Sequence, residues 1–131
     1  MTALDTIKVN VEVATGNVPP LLHEIRHALK RLADGKKGTV IDLRRLPLAP
    51  GEEERIEGIL GEGEVRAEFD ALGPTLVQET SYPGVWFVTH RNADGAIVAR
   101  FIEVTRMPEI LMSQYEDIER GIHQLERELQ E

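Results

Sequence analysis

Apolar and polar residues alternate in several short stretches of the chain, a pattern typical of strands with one buried face. The first such stretch places Ile7, Val9, Val11 and Val13 between polar residues. The sequence NADG at 92–95 joins two of the stretches and is the strongest hairpin signal in the chain. The predicted strands are residues 7–13, 39–43, 65–69, 75–80, 84–90 and 96–104.

Three other segments carry helix signals. Asn17 is a candidate N-cap, with prolines in the first turn of a helix that continues to Ala33. A second helix is predicted over residues 51–60, where three glutamates favour its N-terminus. In the tail, Ser113 and Glu116 form a capping box, and an apolar stripe recurs every three or four residues. The stripe consists of Tyr115, Ile118, Ile122, Leu125 and Leu129.

The order β-α-β-α-β-β-β-β-α predicts an α+β fold with two layers and about three helices. Its sheet is expected to be mixed but mainly antiparallel, with residues 7–13 and 39–43 forming a parallel pair across the first helix. A length of 131 residues favours a single domain over 1–131.

The strand around Trp86 is apolar on both faces, because Val85 and Phe87 alternate with Trp86 and Val88. Helices of a two-layer fold cover one face of the sheet, so the other face needs a second cover. The tail helix, a second copy of the chain and a partner protein all remain open. Trp86 is the best anchor candidate for an interface and also a natural core residue.

Composition narrows the classes of function. The net charge of −8 is concentrated after residue 46, which disfavours nucleic-acid binding and suits a basic partner. Cysteine is absent, so the chain offers no thiolate for a disulfide, a metal or catalysis. The N-terminus lacks the pattern of a signal peptide, and no apolar run reaches the length of a membrane span. These features predict a cytoplasmic protein.

The sequence HEIRH at 23–27 matches the H-E-x-x-H signature of zinc hydrolases. His23 and His27 would be the metal ligands, and Glu24 would activate water. The helical pattern places both histidines opposite the apolar face, and no motif supplies a third ligand. A zinc hydrolase is therefore the weaker alternative, and the chain is expected to be non-enzymatic and free of cofactors.

Four motifs occur together in the second half of the chain: LGEGEV (60–65), VQETSYPGVW (77–86), H-x-N-x-D-G (90–95) and IEVTRMPEIL (102–111). In this order they resemble the C-terminal region of hydrogenase expression/formation proteins of the HupH/HyaF type, over roughly residues 40–112. The resemblance implies a chaperone for maturation of [NiFe] uptake hydrogenases that binds a subunit precursor, with the iron–sulfur small subunit as the favoured partner.

Under this interpretation the partner would bind a face centred on residues 77–90. The candidate contact residues are Gln78, Glu79, Tyr82, Trp86, His90 and Arg106. For Glu79 the competing expectation is a cap on the turn at 82–84, and Arg106 is a candidate for a local ion pair with Glu109. Gly84 is expected to have a positive φ or a close backbone contact. A generic homodimeric ligand-binding module is the remaining alternative.

Overall fold

The computed structural model describes residues 16–70 and 73–130. The strand predicted over residues 7–13, and its parallel pairing, lie outside this part of the chain.

The described chain forms an α+β fold with three α-helices and five strands, in the predicted order. Two short 3-10 turns, at Leu43–Arg45 and Glu109–Leu111, follow the first and last of these strands. The elements are α1 Val18–Ala33, β1 Thr39–Asp42, α2 Glu52–Leu60, β2 Arg66–Asp70, β3 Pro74–Glu79, β4 Val85–Arg91, β5 Ile97–Val104 and α3 Tyr115–Leu129.

The five strands make one sheet in the order β1-β5-β4-β3-β2, and every described pairing is antiparallel. The predicted hairpin joins β4 to β5, and Asn92 organises its turn. The Asn92 side-chain oxygen accepts hydrogen bonds from the backbone N–H groups of Asp94 and Ala96, both at 3.0 Å. Because these hydrogen bonds form between residues that are close in sequence, the turn could be predicted from the sequence.

Helices α1 and α2 cover one face of the sheet and form the main core with it. Leu21 and Ile25 of α1 pack with Ile56 of α2 against Phe87 and Ile102. Leu21 and Ile25 are buried because α1 places its apolar residues three or four apart, on one side.

The opposite face holds a second, smaller cluster built on Val77, Trp86 and Val88. Phe101 and Leu111 pack against it, as do Ala67 and Phe69 of β2. Leu111 belongs to the segment after β5, so this segment supplies part of the cover for the second face.

One of the two predicted caps is confirmed in position, and the other is wrong. Asn17 does occupy the N-cap position of α1, but its side chain makes no capping hydrogen bond there. It donates instead to the carbonyl of Pro47 at 2.6 Å, and its backbone N–H donates to Glu52 at 3.1 Å. At α3 the N-cap is Gln114, so the Ser113–Glu116 capping box does not form.

Glu52 is buried at the start of α2, where three polar groups converge on its carboxylate. Besides the Asn17 contact, it accepts a hydrogen bond from the Ala49 N–H at 2.6 Å. The Ala49 hydrogen bond and those from Asn17 lower the pKa of Glu52, although burial opposes the shift. The charged form of this residue therefore ties the 47–52 loop to the start of α1.

The third helix differs from the other two, because no residue of Tyr115–Leu129 is buried. The predicted stripe is present, yet it faces solvent, with Tyr115 88% and Leu129 83% exposed. The tail helix, one of the three covers left open for the second sheet face, therefore does not cover it. In the described part of the chain, no helix is both long and apolar enough to cross a membrane.

Candidate functional site

The 77–90 segment begins where β3 meets the loop at 61–65. The Gln78 side chain is buried, and its amide nitrogen lies 2.8 Å from the Glu79 carbonyl and 3.3 Å from that of Val65. The Glu79 carboxylate accepts from the N–H groups of Glu64 at 3.2 Å and Val65 at 3.4 Å. Glu79 therefore holds the 61–65 loop, and the prediction that it caps the turn at 82–84 is wrong.

Thr80 provides the cap for that turn. Its hydroxyl accepts from the Tyr82 N–H at 3.1 Å and lies 3.2 Å from the Tyr82 carbonyl. Gly84 follows with φ +93°, as predicted, and a Cβ there would lie 3.3 Å from the Leu29 side chain of α1. The turn is consequently fixed by one hydroxyl and by close contact with α1.

Trp86 is only 5% exposed and belongs to the second core cluster. Its indole N–H donates to the carbonyl of Thr105 at 3.0 Å, and the Thr105 N–H donates to Gly84 at 2.9 Å. These two bonds hold the 81–84 turn beside the segment that leaves β5. Trp86 is thus a buried residue that positions the neighbouring exposed segments.

His90 is half-buried near the other end of β4. Its Nδ1 lies 3.0 Å from the Thr75 hydroxyl on the neighbouring strand, and its ring meets Phe101 edge-on at 6.0 Å. Both contacts are internal to the sheet, so His90 presents only part of its ring to solvent.

The exposed residues near the turn form a small surface, which we term the turn patch and define as Tyr82, Arg106 and Met107. Tyr82 is 48% and Met107 54% exposed, and Arg106 is also exposed. Within the described residues, Arg106 makes no ion pair within 4.0 Å, so the predicted pair with Glu109 does not form. An aromatic ring, a thioether and a cation are therefore exposed on two segments that the hydrogen bond between Thr105 and Gly84 joins.

The neighbouring acids are Glu103 and Glu109. Burial raises the pKa of Glu103, and repulsion from the Glu109 carboxylate adds to the shift. Glu103 and Glu109 therefore lie close enough for their charges to interact.

The HEIRH histidines lie on the exposed side of α1, as predicted from the apolar spacing. The guanidinium of Arg26 lies between them, 3.3 Å from His23 Nδ1 and 3.3 Å from His27 Nε2. A cation therefore occupies the position in which the two rings could share a metal. Among residues 16–70 and 73–130, no group of three metal-binding side chains is found.

Sequence reasoning missed the polar cluster around Arg100, which interrupts an otherwise apolar strand face. Its side chain is 12% exposed, pairs with Glu57 and lies 3.9 Å from Glu53. Its guanidinium also stacks over the Phe87 ring at 4.7 Å, and its Nε donates to the Thr89 hydroxyl at 3.2 Å. Glutamates four residues apart on α2 were the available signal. The cluster links α2 to the sheet, so its role is structural.

Comparison with known proteins confirms and widens the resemblance. A family model described as "HupH hydrogenase expression protein, C-terminal conserved region" matches residues 15–131. The hydrogenase expression/formation protein HoxQ of Azotobacter vinelandii is 31% identical over 117 residues, which are 88% of this chain and 41% of that protein. HupH of Rhizobium leguminosarum bv. viciae is 31% identical over 101 residues, which are 77% of this chain and 36% of that protein.

A solved structure has the same fold. The hydrogenase expression protein HupH from Thiobacillus denitrificans aligns with a TM-score of 0.83 at 40% identity, covering 88% of this chain and 96% of that one. The chain thus spans about two-fifths of the HoxQ relative and nearly all of the solved HupH chain. The match covers more than the motif-bearing residues 40–112 and includes both helices of the main core. The chain therefore belongs to the HupH hydrogenase expression protein family, whose C-terminal conserved region it contains.

Proposed function

We propose that this chain is a non-catalytic accessory protein in hydrogenase maturation, which binds a hydrogenase subunit precursor in the cytoplasm. The main support for this function is the family match over residues 15–131, together with relatives named hydrogenase expression/formation proteins. The favoured partner is the iron–sulfur small subunit. Because the chain lacks cysteine, it would hold that subunit without competing for its clusters.

The proposed contact region is the predicted face around residues 77–90, and within it the turn patch is the most accessible part. Tyr82 offers an aromatic surface with a polar tip, and Arg106 offers hydrogen-bond donors without an internal ion partner among the described residues. His90 would add a partial contact. Gln78, Glu79 and Trp86 would act indirectly, because their side chains support the loop and the turn from within.

The test is co-purification with a hydrogenase small-subunit precursor in the same cell, with and without its signal peptide. We expect a stoichiometric complex with the precursor. Dependence on the signal peptide would identify the segment that is bound. Failure to form a complex, with both proteins folded and present, would contradict the proposed function.

The double variant Tyr82→Ser/Arg106→Gln tests the contact region. Both side chains are exposed, so the fold should persist while the yield of complex falls by about tenfold or more, in line with the loss of interface anchors. The matched control is Val98→Ser/Arg55→Gln, which changes the same kinds of exposed side chain on β5 and α2. Equal yields for variant and control would move the interface away from the turn patch.

A further inference from the structure

Helix α3 carries an apolar seam of two heptads that the described chain leaves open. Its apolar residues follow the alternating spacing of three and four that defines heptad positions a and d. Of the thirteen large apolar residues that are exposed in the described part of the chain, eight lie between Met107 and Leu129, so this exposure is concentrated around α3. The seam residues are Tyr115, Ile118, Ile122, Leu125 and Leu129.

A lone amphipathic helix of this length is marginal in water, because most helical stability in proteins comes from packing of the apolar face. The 15 residues of α3 bury none of that face. A continuous exposed apolar stripe with a polar opposite side is typical of a surface that binds another helix.

The charges beside the seam indicate which partner fits. The flanking e and g positions hold Glu119, Glu126 and Glu128, and no lysine or arginine. Both arginines of the helix, Arg120 and Arg127, occupy f positions, which do not flank the seam in the heptad pattern. Charges at e and g select coiled-coil partners by attraction and repulsion. In an antiparallel pair, a second copy would bring Glu119 against Glu126, whereas a helix flanked by lysine or arginine would attract both.

The seam also contains a preformed hole. Ile118, Gly121, Ile122 and Leu125 stand at i, i+3, i+4 and i+7, the diamond that receives one knob from a facing helix. A shallow open depression is lined by these four residues together with Gln124, Arg127 and Glu128. No described atom lies within 4 Å of the position a Cβ of Gly121 would take, so nothing within the described chain requires a glycine there.

We propose that α3 is a docking helix whose apolar seam receives a basic amphipathic helix of a partner protein, with one large apolar side chain of that helix seated over Gly121. The inference is independent of the hydrogenase role and of the turn patch, because it rests on α3 alone. Acidic flanks also disfavour an anionic membrane surface, which attracts helices with lysine and arginine on their polar side.

The probes are two fluorescent peptides of about three heptads with the same Leu/Ile seam, one with Lys and one with Glu at every e and g position. Their binding to the full chain is followed by fluorescence anisotropy. We expect the Lys peptide to bind about tenfold or more tightly than the Glu peptide, with an affinity that falls as salt rises. Equal affinities, or no binding of either peptide, would overturn the proposal.

Variants of α3 separate seam docking from general attraction to an acidic protein. Leu125→Ser should abolish binding of the Lys peptide, and Glu119→Lys/Glu128→Lys should reverse the preference toward the Glu peptide. Glu116→Lys is the matched control, because its position lies away from the seam, and it should keep the preference for Lys. Loss of the preference in this control as well would show that net charge alone drives binding.

Gly121→Ala gives an independent test of the hole. Alanine raises helix propensity and meets no described atom within the chain, so the helix should become more stable by circular dichroism. Filling the hole should nonetheless weaken peptide binding by about tenfold, since a knob would meet the added methyl group. Unchanged or tighter binding would refute the seating of a side chain over Gly121.

Two other binding partners of the α3 seam, a second copy of the chain and a membrane surface, are tested with the same protein. Sedimentation of the full chain at the titration concentration should show a monomer, and a dimer that Leu125→Ser dissociates would assign the seam to a second copy. Vesicles of phosphatidylcholine and phosphatidylglycerol should not retain the chain. Retention that Leu125→Ser removes would assign the seam to a membrane surface and overturn the proposal.

Discussion

Trp86 connects two segments that are far apart in sequence. Its ring fills the second core cluster, while its N–H holds the Thr105 carbonyl and therefore the start of the segment leading to α3. Trp86 therefore contributes to the core and also positions a neighbouring segment. Its replacement should mainly lower the stability of the fold, and any change at the nearby surface should follow from that loss.

Trp86→Ala should lower the free energy of unfolding by about 3–5 kcal/mol, because it leaves a cavity and an unpaired carbonyl. Urea titration followed by circular dichroism measures the change, since the variant loses the only tryptophan. Tyr82→Ala, at the exposed turn, is the control and should change stability little. A fully stable Trp86→Ala variant would show that the side chain is not part of the core.

Glu52 should make stability depend on pH. Its pKa is lowered in the folded state, chiefly by the Ala49 N–H, so its contribution is complete above the ordinary value of 4.5. The contribution is lost as the pH falls from that value through the lower pKa of the folded state. Unfolding free energies of wild type and Glu52→Gln should therefore differ most near neutral pH and converge in acid.

Urea titrations at several pH values measure this convergence. Glu54→Gln is the control, because Glu54 is exposed in the same turn of α2. A constant difference between wild type and Glu52→Gln across the acidic range would show that hydrogen bonding to a neutral side chain is sufficient.

At the scale of elements, the turn between β3 and β4 is set by local geometry and by α1 together. Gly84 and Gly95 both have positive φ, +93° and +86°, but only Gly84 faces another element closely. Leu29 lies 3.3 Å from the position a Cβ of Gly84 would take, whereas Gly95 has open space.

Gly95→Ala should cost about 1–2 kcal/mol of unfolding free energy, the usual penalty for a side chain in left-handed backbone. Gly84→Ala should cost more, because the contact with α1 is added to the same backbone penalty. Thermal and urea unfolding of the two variants measure the difference. Equal costs would show that α1 moves aside without loss.

The elements themselves follow from the sequence, because a half-buried strand and an amphipathic helix impose periods of two and 3.6 residues. The hairpin around Asn92 was likewise predictable, since its side chain closes the turn locally. The side-chain partners of Asn17 and Glu79 were not predictable, because Asn17 binds Pro47 and Glu79 binds the 61–65 loop across long separations in sequence. Residues with several possible hydrogen-bond partners cannot be assigned without knowing which segments meet.

For the whole molecule, the decisive feature is that α3 adds no buried residue to the fold. Removal of residues 113–131 should leave the urea midpoint and the β-sheet signal of the remaining chain nearly unchanged, because no core contact is lost. Circular dichroism should show only the loss of one helix. A large drop in stability would show that α3 packs on the rest of the chain in solution.

Taken as a whole, the sequence determined the α+β class, the element order, the exposed position of His23 and His27 and the family motifs, because each depends on local spacing or composition. The tertiary structure decided which side chains are buried and which residues they contact. It buried Trp86 and Gln78, assigned Glu79 to a loop and gave Arg100 its partners on α2. It also left the seam of α3 uncovered by the described chain. An apolar stripe shows that a helix needs a partner, but only the packing of the other elements shows whether the chain supplies one.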